Sequence, residues 1–430
     1  MDPTTLAILG IVALMVLIFL RVPVGFAMVG VGLIGSTMQL GAGASLQLLA
    51  SDIYRQFSSY TIAVVPLFIL MGMVIFHSGM SSRLFDAAYA WVGHFPGGIA
   101  ATTILSSIAF SAVSGSNSAA TATMGSVALP EMKKYGYDRA FAGGAVAVGG
   151  TLGVLIPPST ALIIIAVQSE QSISRLFQAA LFPGLLVGAL LLGTTLLVAR
   201  RNPELGPPGP RATWTQRFRS LSGVVEVAFL FLLAIGGMFL GWFTPTEAAG
   251  VGAMGAFLIA FAGRSLPLPK AGQAVLDTLR TSAMVVLLIA GAVVFGRFMA
   301  LTRLPFDLAE WVGGLPVPPV VVLLVVILIY LLGGALMDAL GFLVISIPIF
   351  FPLAIELDYN LVWFTIVVTL ITTFGAVTPP VGVNVFIVTG IDSTFDVLTV
   401  FRGVLPYFIP YAAALALFIA VPSTILFAVS

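Results

Sequence analysis

The stretch Gly153-Val-Leu-Ile-Pro157-Pro158 returns 222 positions later as Gly375-Ala-Val-Thr-Pro379-Pro380, each time in the middle of a long apolar run. Proline lacks a backbone donor and clashes with the preceding turn, so a pair of prolines breaks any helix that contains it. In hydrocarbon such a break survives only where protein or a water-lined cavity covers it. Pro23 recurs as Pro245, and Pro130 as Pro352, at the same spacing. One recurrence could be chance; several in a single register imply two copies of one structural unit.

That unit belongs in a bilayer. The 430 residues are 59% hydrophobic and only 8% charged, with a mean hydropathy of +1.13, whereas soluble domains carry roughly 25% charged residues. A net charge of +1 offers no footprint for nucleic acid. The absence of cysteine removes disulfides, thiol chemistry and thiolate-bound metals, and leaves the compartment unread. The first apolar run, 6–20, lacks a basic leader and a small-residue cleavage site and is expected to be retained. At about 20 residues per span, helices are expected over 4–20, 23–40, 61–76, 140–167 and 181–198. The second half offers 224–241, 245–262, 281–300, 361–388 and 404–428. Stretches 43–58 and 172–179 are amphipathic and are expected to lie along the interface.

Between the third and fourth spans of each half lies an apolar stretch broken by polar residues near its centre, 97–130 and 317–352. Arg21, Arg83, Lys133, Lys134, Arg139, Arg200, Arg201, Arg211, Arg217, Arg219 and Arg264 all fall on one face if the N-terminus is outside and the first stretch enters and leaves on the same side. The charges therefore favour a re-entrant hairpin over about 97–132 and, by the repeat, another over about 317–354. Arg297 and Arg303 are exceptions, expected outside. The expected organisation is a first repeat over 1–199, a Pro- and Gly-rich cytoplasmic linker over 200–220, and a second repeat over 221–430. With five spans, an odd number, the second copy is inserted upside down. Inverted repeats with paired broken segments point to a secondary transporter with its site near the midplane.

The chemistry is expected at the interruptions. A broken helix frees carbonyl oxygens, Gly153 and Gly375 let backbone approach, and carbonyls with hydroxyls are hard donors suited to an alkali cation. Inward-pointing half-helix N-termini suit an anion. Ser111, Ser114, Ser116, Asn117 and Ser118 crowd into one stretch, where each needs a partner in hydrocarbon; the alternative is polar glue between helices. The corresponding Gly333-Gly-Ala-Leu-Met-Asp338 carries the one carboxylate expected near the midplane, a functional residue by default there, with a place at the outer mouth as the alternative. Glu247, by contrast, closes a capping box in Thr244-Pro-Thr-Glu and is expected to be structural. His77 and His94 have no metal-like spacing and are expected at span ends.

At these motifs the sequence resembles the large membrane subunit of the tripartite ATP-independent periplasmic (TRAP) transporters. The resemblance is carried by Phe110-Ser-Ala-Val-Ser-Gly-Ser-Asn-Ser118, Gly125-Ser-Val-Ala-Leu-Pro-Glu-Met132, Gly153-Val-Leu-Ile-Pro-Pro-Ser159, Thr244-Pro-Thr-Glu-Ala-Ala249 and Gly375-Ala-Val-Thr-Pro-Pro-Val-Gly-Val-Asn384, along nearly the whole chain. It implies an all-α elevator fold, scaffold plus transport domain, in a bacterial inner membrane with the N-terminus periplasmic. It further implies sodium-driven import of a carboxylate, with at least two Na⁺ sites and no organic cofactor. Ser111, Ser114, Gly153, Ile156 and Pro158 would form the first Na⁺ site; Gly333, Gly375, Thr378 and Val381 the second, with Gly334 equally available. Asn117, Ser118, Asp338 and Asn384 are the candidates for the substrate cavity. The expected partners, as separate chains, are a small four-helix membrane subunit and a soluble periplasmic substrate-binding protein.

Other classes fit poorly. No lysine follows a glycine, so a phosphate-binding loop of the Walker type is missing. Tyr137-Asp138 matches half of an intramembrane aspartyl protease signature, but Asp338 follows Ala-Leu-Met and not Gly-x-Gly. An intramembrane enzyme would need an assembled nucleophile or acid pair, which the sequence does not offer. A passive anion channel would need neither of two opposed hairpins.

Overall fold

The computed structural model describes residues 2–429, all of whose regular elements are helical. Nine helices among the described residues are long and apolar enough to cross a membrane. The chain is therefore an all-α multi-pass membrane protein.

The first hairpin has arms Gly98–Ser114 and Asn117–Lys134, joined by Gly115 and Ser116. Gly115 takes the left-handed conformation (φ +62°), which permits the reversal, and Ser116 caps the returning arm by accepting from the Ala119 amide. The two ends of the hairpin lie together: the Ile99 amide donates to the Tyr137 hydroxyl (3.0 Å), Gly97 N–H to the Gly206 carbonyl (2.7 Å) and Asp138 N–H to the Leu205 carbonyl (2.9 Å). The chain thus leaves on the side it entered. The second hairpin runs Pro319–Leu336 and Ala339–Glu356, with Asp338 as the returning arm's cap. Ser114 and Leu336, Asn117 and Ala339, Lys134 and Glu356, and the following helix starts Arg139 and Leu361 are each 222 residues apart.

The two prolyl pairs do interrupt their helices. The expected span 140–167 is three pieces, Arg139–Gly150, Leu152–Leu155 and Thr160–Gln168. The span 361–388 is Leu361–Gly375 and Val383–Ile391. The Pro157–Pro158 and Pro379–Pro380 bonds are both cis.

A second group of helices packs through small residues. A Cβ on Gly32 of Val24–Leu40 would lie 2.7 Å from the Val294 carbonyl, and one on Gly291 would lie 2.7 Å from that of Gly25. Helix Val24–Leu40 therefore meets Leu268–Thr302 backbone to backbone, as membrane helices do where no hydrophobic effect drives them together. The 35-residue Leu268–Thr302 is longer than the expected 281–300 and, at about 52 Å, exceeds the hydrocarbon thickness. Helix Pro245–Ala262 opens on the anticipated box: Thr244 N–H donates to Glu247 Oε2 (2.8 Å) and Glu247 N–H to Thr244 Oγ1 (3.3 Å). Thr244→Ala should lower stability by about 1 kcal/mol, checked by thermal unfolding in detergent.

One expectation needs correction. Residues 172–179 are not a separate interfacial segment: Ser172 caps the single 29-residue helix Ile173–Arg201. In the 200–220 stretch, Leu205, Gly206 and Gly209 bond to the ends of the first hairpin and to Gly93, and helix Trp214–Phe231 begins at its end. Helix Ala42–Phe57 is amphipathic, but it buries Asp52, which is 6% exposed and takes two bonds from Arg297 (2.6 and 2.7 Å). Arg297, an exception to the charge pattern, thus has an acidic partner in the buried Asp52. His77 likewise has one in Asp277 (2.9 Å).

Candidate site at the hairpin tips and helix breaks

The tip of the first hairpin is seated on the first break. The Gly115 carbonyl accepts from both the Thr160 amide (3.3 Å) and the Thr160 hydroxyl (2.8 Å). A Cβ on Gly115 would lie 2.6 Å from the Pro158 carbonyl oxygen, and one on Gly153 would lie 2.4 Å from that of Ser116. Only glycine permits either approach. Asn117 fastens the contact by accepting the Val154 amide proton at Oδ1 (3.0 Å).

Three polar groups in this contact have no partner. The hydroxyls of Ser111 and Ser114 and the Asn117 amide nitrogen are enclosed and unbonded, with Ser111 fully buried. Buried polar atoms are nearly always satisfied, so unbonded groups at the hairpin tip that is seated on the break are candidates for holding a ligand. The two hydroxyls are neutral oxygen donors suited to a monovalent hard cation, whereas the Asn117 amide nitrogen is a hydrogen-bond donor that suits an acceptor. Among the described residues no group of three His, Cys, Asp or Glu could hold a metal ion.

The second tip meets the second break in the same way but with its groups more fully engaged. The Ala335 carbonyl accepts from Gly382 N–H (2.9 Å), the Gly375 carbonyl from Thr378 N–H (2.8 Å), and the Thr378 hydroxyl donates to the Phe374 carbonyl (2.9 Å). Of the two candidate glycines, Gly334 faces the broken helix, where a Cβ would lie 2.2 Å from the Thr372 carbonyl; Gly333 faces the Phe342 ring of the returning arm. Pro379 and Pro380 are exposed and Val381 is half-buried, whereas Pro157 and Pro158 are buried.

The four substrate-cavity candidates fall into two pairs. Ser118 donates to Asp338 Oδ1 (3.0 Å), so the two hairpin tips touch each other through these side chains, and Asp338 is exposed there. Its other oxygen accepts from Leu340 N–H (3.1 Å), so the carboxylate also caps the returning arm. Asn117 and Asn384 are instead buried. Asn384 reaches across the repeats to donate to the Ala147 carbonyl (3.0 Å). That carbonyl is free because Thr151 N–H turns back to Val148 (3.1 Å) where the first break begins. Asn384 therefore joins the two broken helices, with its own Oδ1 left unpartnered.

The N-terminal ends of Asn117–Lys134, Thr160–Gln168, Ala339–Glu356 and Val383–Ile391 gather at these tips and breaks. Their partial positive charges favour an anion. At the far end of the assembly Lys133 pairs with Asp392 (3.1 Å), whose carboxyl is held down to about 2 by the Thr394 amide and by Lys133. Thr160 and Ala147 were not among the sequence candidates. Thr160 had a visible signal, a hydroxyl just beyond a prolyl break, while a carbonyl such as that of Ala147 has none.

Two re-entrant hairpins set on two broken helices, within a multi-pass helical membrane protein, are the architecture of a membrane permease. The chain belongs to the family described as "Tripartite ATP-independent periplasmic transporter, DctM component", which it matches over residues 11–424. It is 34% identical over 362 residues to the C4-dicarboxylate TRAP transporter large permease protein DctM of Pseudomonas aeruginosa, covering 84% of each chain. It is 33% identical over 412 residues to the sialic acid TRAP transporter large permease protein SiaM of Vibrio cholerae, covering 94% of each. It is 29% identical over 420 residues to the 2,3-diketo-L-gulonate TRAP transporter large permease protein YiaN of Escherichia coli, covering 96% of this chain and 98% of that one. In fold it is similar to the Alcanivorax borkumensis YdaH transporter, with a TM-score of 0.64 and 14% identity, covering 99% of this chain and 100% of that one.

Proposed function

We propose that this permease imports an organic carboxylate, driven by sodium, through an elevator motion of the hairpins and broken helices against the scaffold of small-residue helices. The observation that carries the reading is the pair of enclosed, unbonded hydroxyls, Ser111 and Ser114, at the end of the hairpin arm whose tip is seated on the first break. Sodium in that contact is cargo whose charge the neutral oxygens meet; once bound, it fixes the tip against the break and adds positive charge beside the substrate. The four convergent helix ends supply the rest of the attraction for a carboxylate. Relatives named for a dicarboxylate, sialic acid and a gulonate support this class of substrate.

On this reading 1–199 and 221–430 are inverted copies in an inner membrane, with the N-terminus periplasmic and the linker cytoplasmic. The common 222-residue displacement of elements supports the repeat, and the arginine distribution supports the orientation. Gly375, Thr378, Val381 and Gly333 or Gly334 form the second sodium site, and Asn117, Ser118, Asp338 and Asn384 act around the substrate. A separate small membrane subunit and a soluble periplasmic binding protein complete the transporter.

Ser114→Ala removes one oxygen from the first site and leaves the helix intact. The sodium concentration for half-maximal uptake should rise about tenfold, the loss of one bond to a charged group, with little change at saturating sodium. An unaltered sodium titration would remove Ser114 from the site.

A further inference from the structure

Helix Met80–Val92 lies beside helix Trp214–Phe231 at the arginine-rich face. There the Arg217 guanidinium sits 5.0 Å from the centre of the Trp214 ring and 5.9 Å from that of Trp91. Phe218 meets Trp91 edge to face (6.1 Å, 88°), and Arg217 Nη2 lies 3.4 Å from His94 Nδ1. Two rings and an imidazole thus fix a planar cation in place.

What the cluster lacks is an anion. Arg217 is in none of the ion pairs among the described residues, and neither are Arg200, Arg201, Arg211 or Arg219. Residues 200–219 hold five arginines against the single acid Glu204, a net of +4. The acid on the same helix, Glu226, is taken by Arg83 (2.5 Å), and Asp86 lies toward Glu131. Donors are in excess: Arg217 Nε and the Trp91 indole N–H are enclosed with no acceptor. Burial and the nearby Arg217 and Arg211 push the His94 imidazole below its ordinary pKa. Trp214 and Phe218 are 64% and 63% exposed at the end of a membrane-spanning helix, where aromatic side chains mark the boundary between headgroups and acyl chains.

We propose that Trp91, Arg211, Trp214, Arg217 and Phe218 form a headgroup site for an anionic phospholipid of the arginine-rich leaflet. Arg217 reads the phosphate as a rigid planar donor, Arg211 adds charge, and the exposed faces of Trp214 and Phe218 lie along the acyl chains. The site is placed to matter, because the adjoining Gly93 and Gly97 carry the linker's bonds to the first hairpin.

The test is native mass spectrometry of the full-length chain released from mixed phosphatidylglycerol and phosphatidylcholine. The chain should retain phosphatidylglycerol preferentially, Arg217→Gln should reduce that retention about fivefold, and Arg219→Gln, on the same helix without ring contacts, less than about twofold. Arg217→Lys keeps the charge but not the plane and should show an intermediate loss, which keeps the proposal testable if the glutamine variant fails to fold. Millimolar inorganic phosphate should not displace the lipid. Equal retention of the two lipids, equal losses in the Arg217 and Arg219 variants, or displacement by phosphate would each overturn the site.

Discussion

Gly153→Ala should reduce sodium-driven uptake by tenfold or more while the protein still inserts and purifies. The added carbon would lie 2.4 Å from the Ser116 oxygen, 2.6 Å from its carbonyl carbon and 2.9 Å from the Asn117 nitrogen. All three are backbone atoms of a tight reversal, so no side chain can swing away. The tip must retreat from the break, at a cost of about 1–3 kcal/mol. Retreat moves the arm that carries Ser111 and Ser114 away from the break and lengthens the Asn117–Val154 bond. Gly375→Ala makes the same demand on the second tip, with 2.5 Å to the Leu331 carbonyl and 2.7 Å to the Gly334 carbon. Gly193→Ala, with nothing within 4 Å, is the control. Initial rates of uptake, together with the shift in unfolding temperature that sodium produces, read the outcome. A Gly153→Ala protein with wild-type uptake and a wild-type sodium-induced shift would show that close seating of the tip is not needed.

Arg297→Met should produce the largest loss of stability among single changes outside the site. It strands Asp52, whose side chain is 7% exposed, with only Arg55, itself 77% exposed. Breaking a buried pair by removing one partner typically costs about 3–5 kcal/mol; Arg297 is one-third exposed, so about 2–3 kcal/mol is expected. The double variant Asp52→Asn, Arg297→Met should recover most of it, because no uncompensated charge remains. Thermal unfolding of the four proteins gives the coupling directly. Additive losses would mean that the two residues do not depend on each other. The sodium titration of whatever folds should match wild type, since the pair joins Ala42–Phe57 to Leu268–Thr302, away from the tips.

What the sequence showed of this molecule was local. Paired prolines after a glycine predict a break, a cluster of small polar residues inside an apolar run predicts a tip, and Thr-Pro-Thr-Glu predicts a capped start. Each depends on neighbours a few residues away. Pairs such as Asp52 with Arg297, 245 positions apart, depend on which helices lie side by side, so one partner read as interfacial and the other as an exception. The same limit applies to Asn384, whose asparagine was visible but whose partner is a carbonyl released at Ala147 by a tightened turn. The contacts of the linker were invisible in its glycine and proline content, because Leu205 and Gly206 bond through backbone atoms that every residue possesses. Continuity of Ser172 into Ile173–Arg201 was hidden because an amphipathic first turn and a membrane span can share one helix.

The proposed coupling of transport to sodium is tested most directly in proteoliposomes that contain this chain with the small membrane subunit proposed for it and are supplied with the proposed carboxylate-loaded binding protein. An inward sodium gradient should drive the carboxylate to an internal concentration above the external one, and equal sodium on both sides should abolish that accumulation. Accumulation that ignores the gradient, or flux that only ever equalises the two sides, would contradict the account.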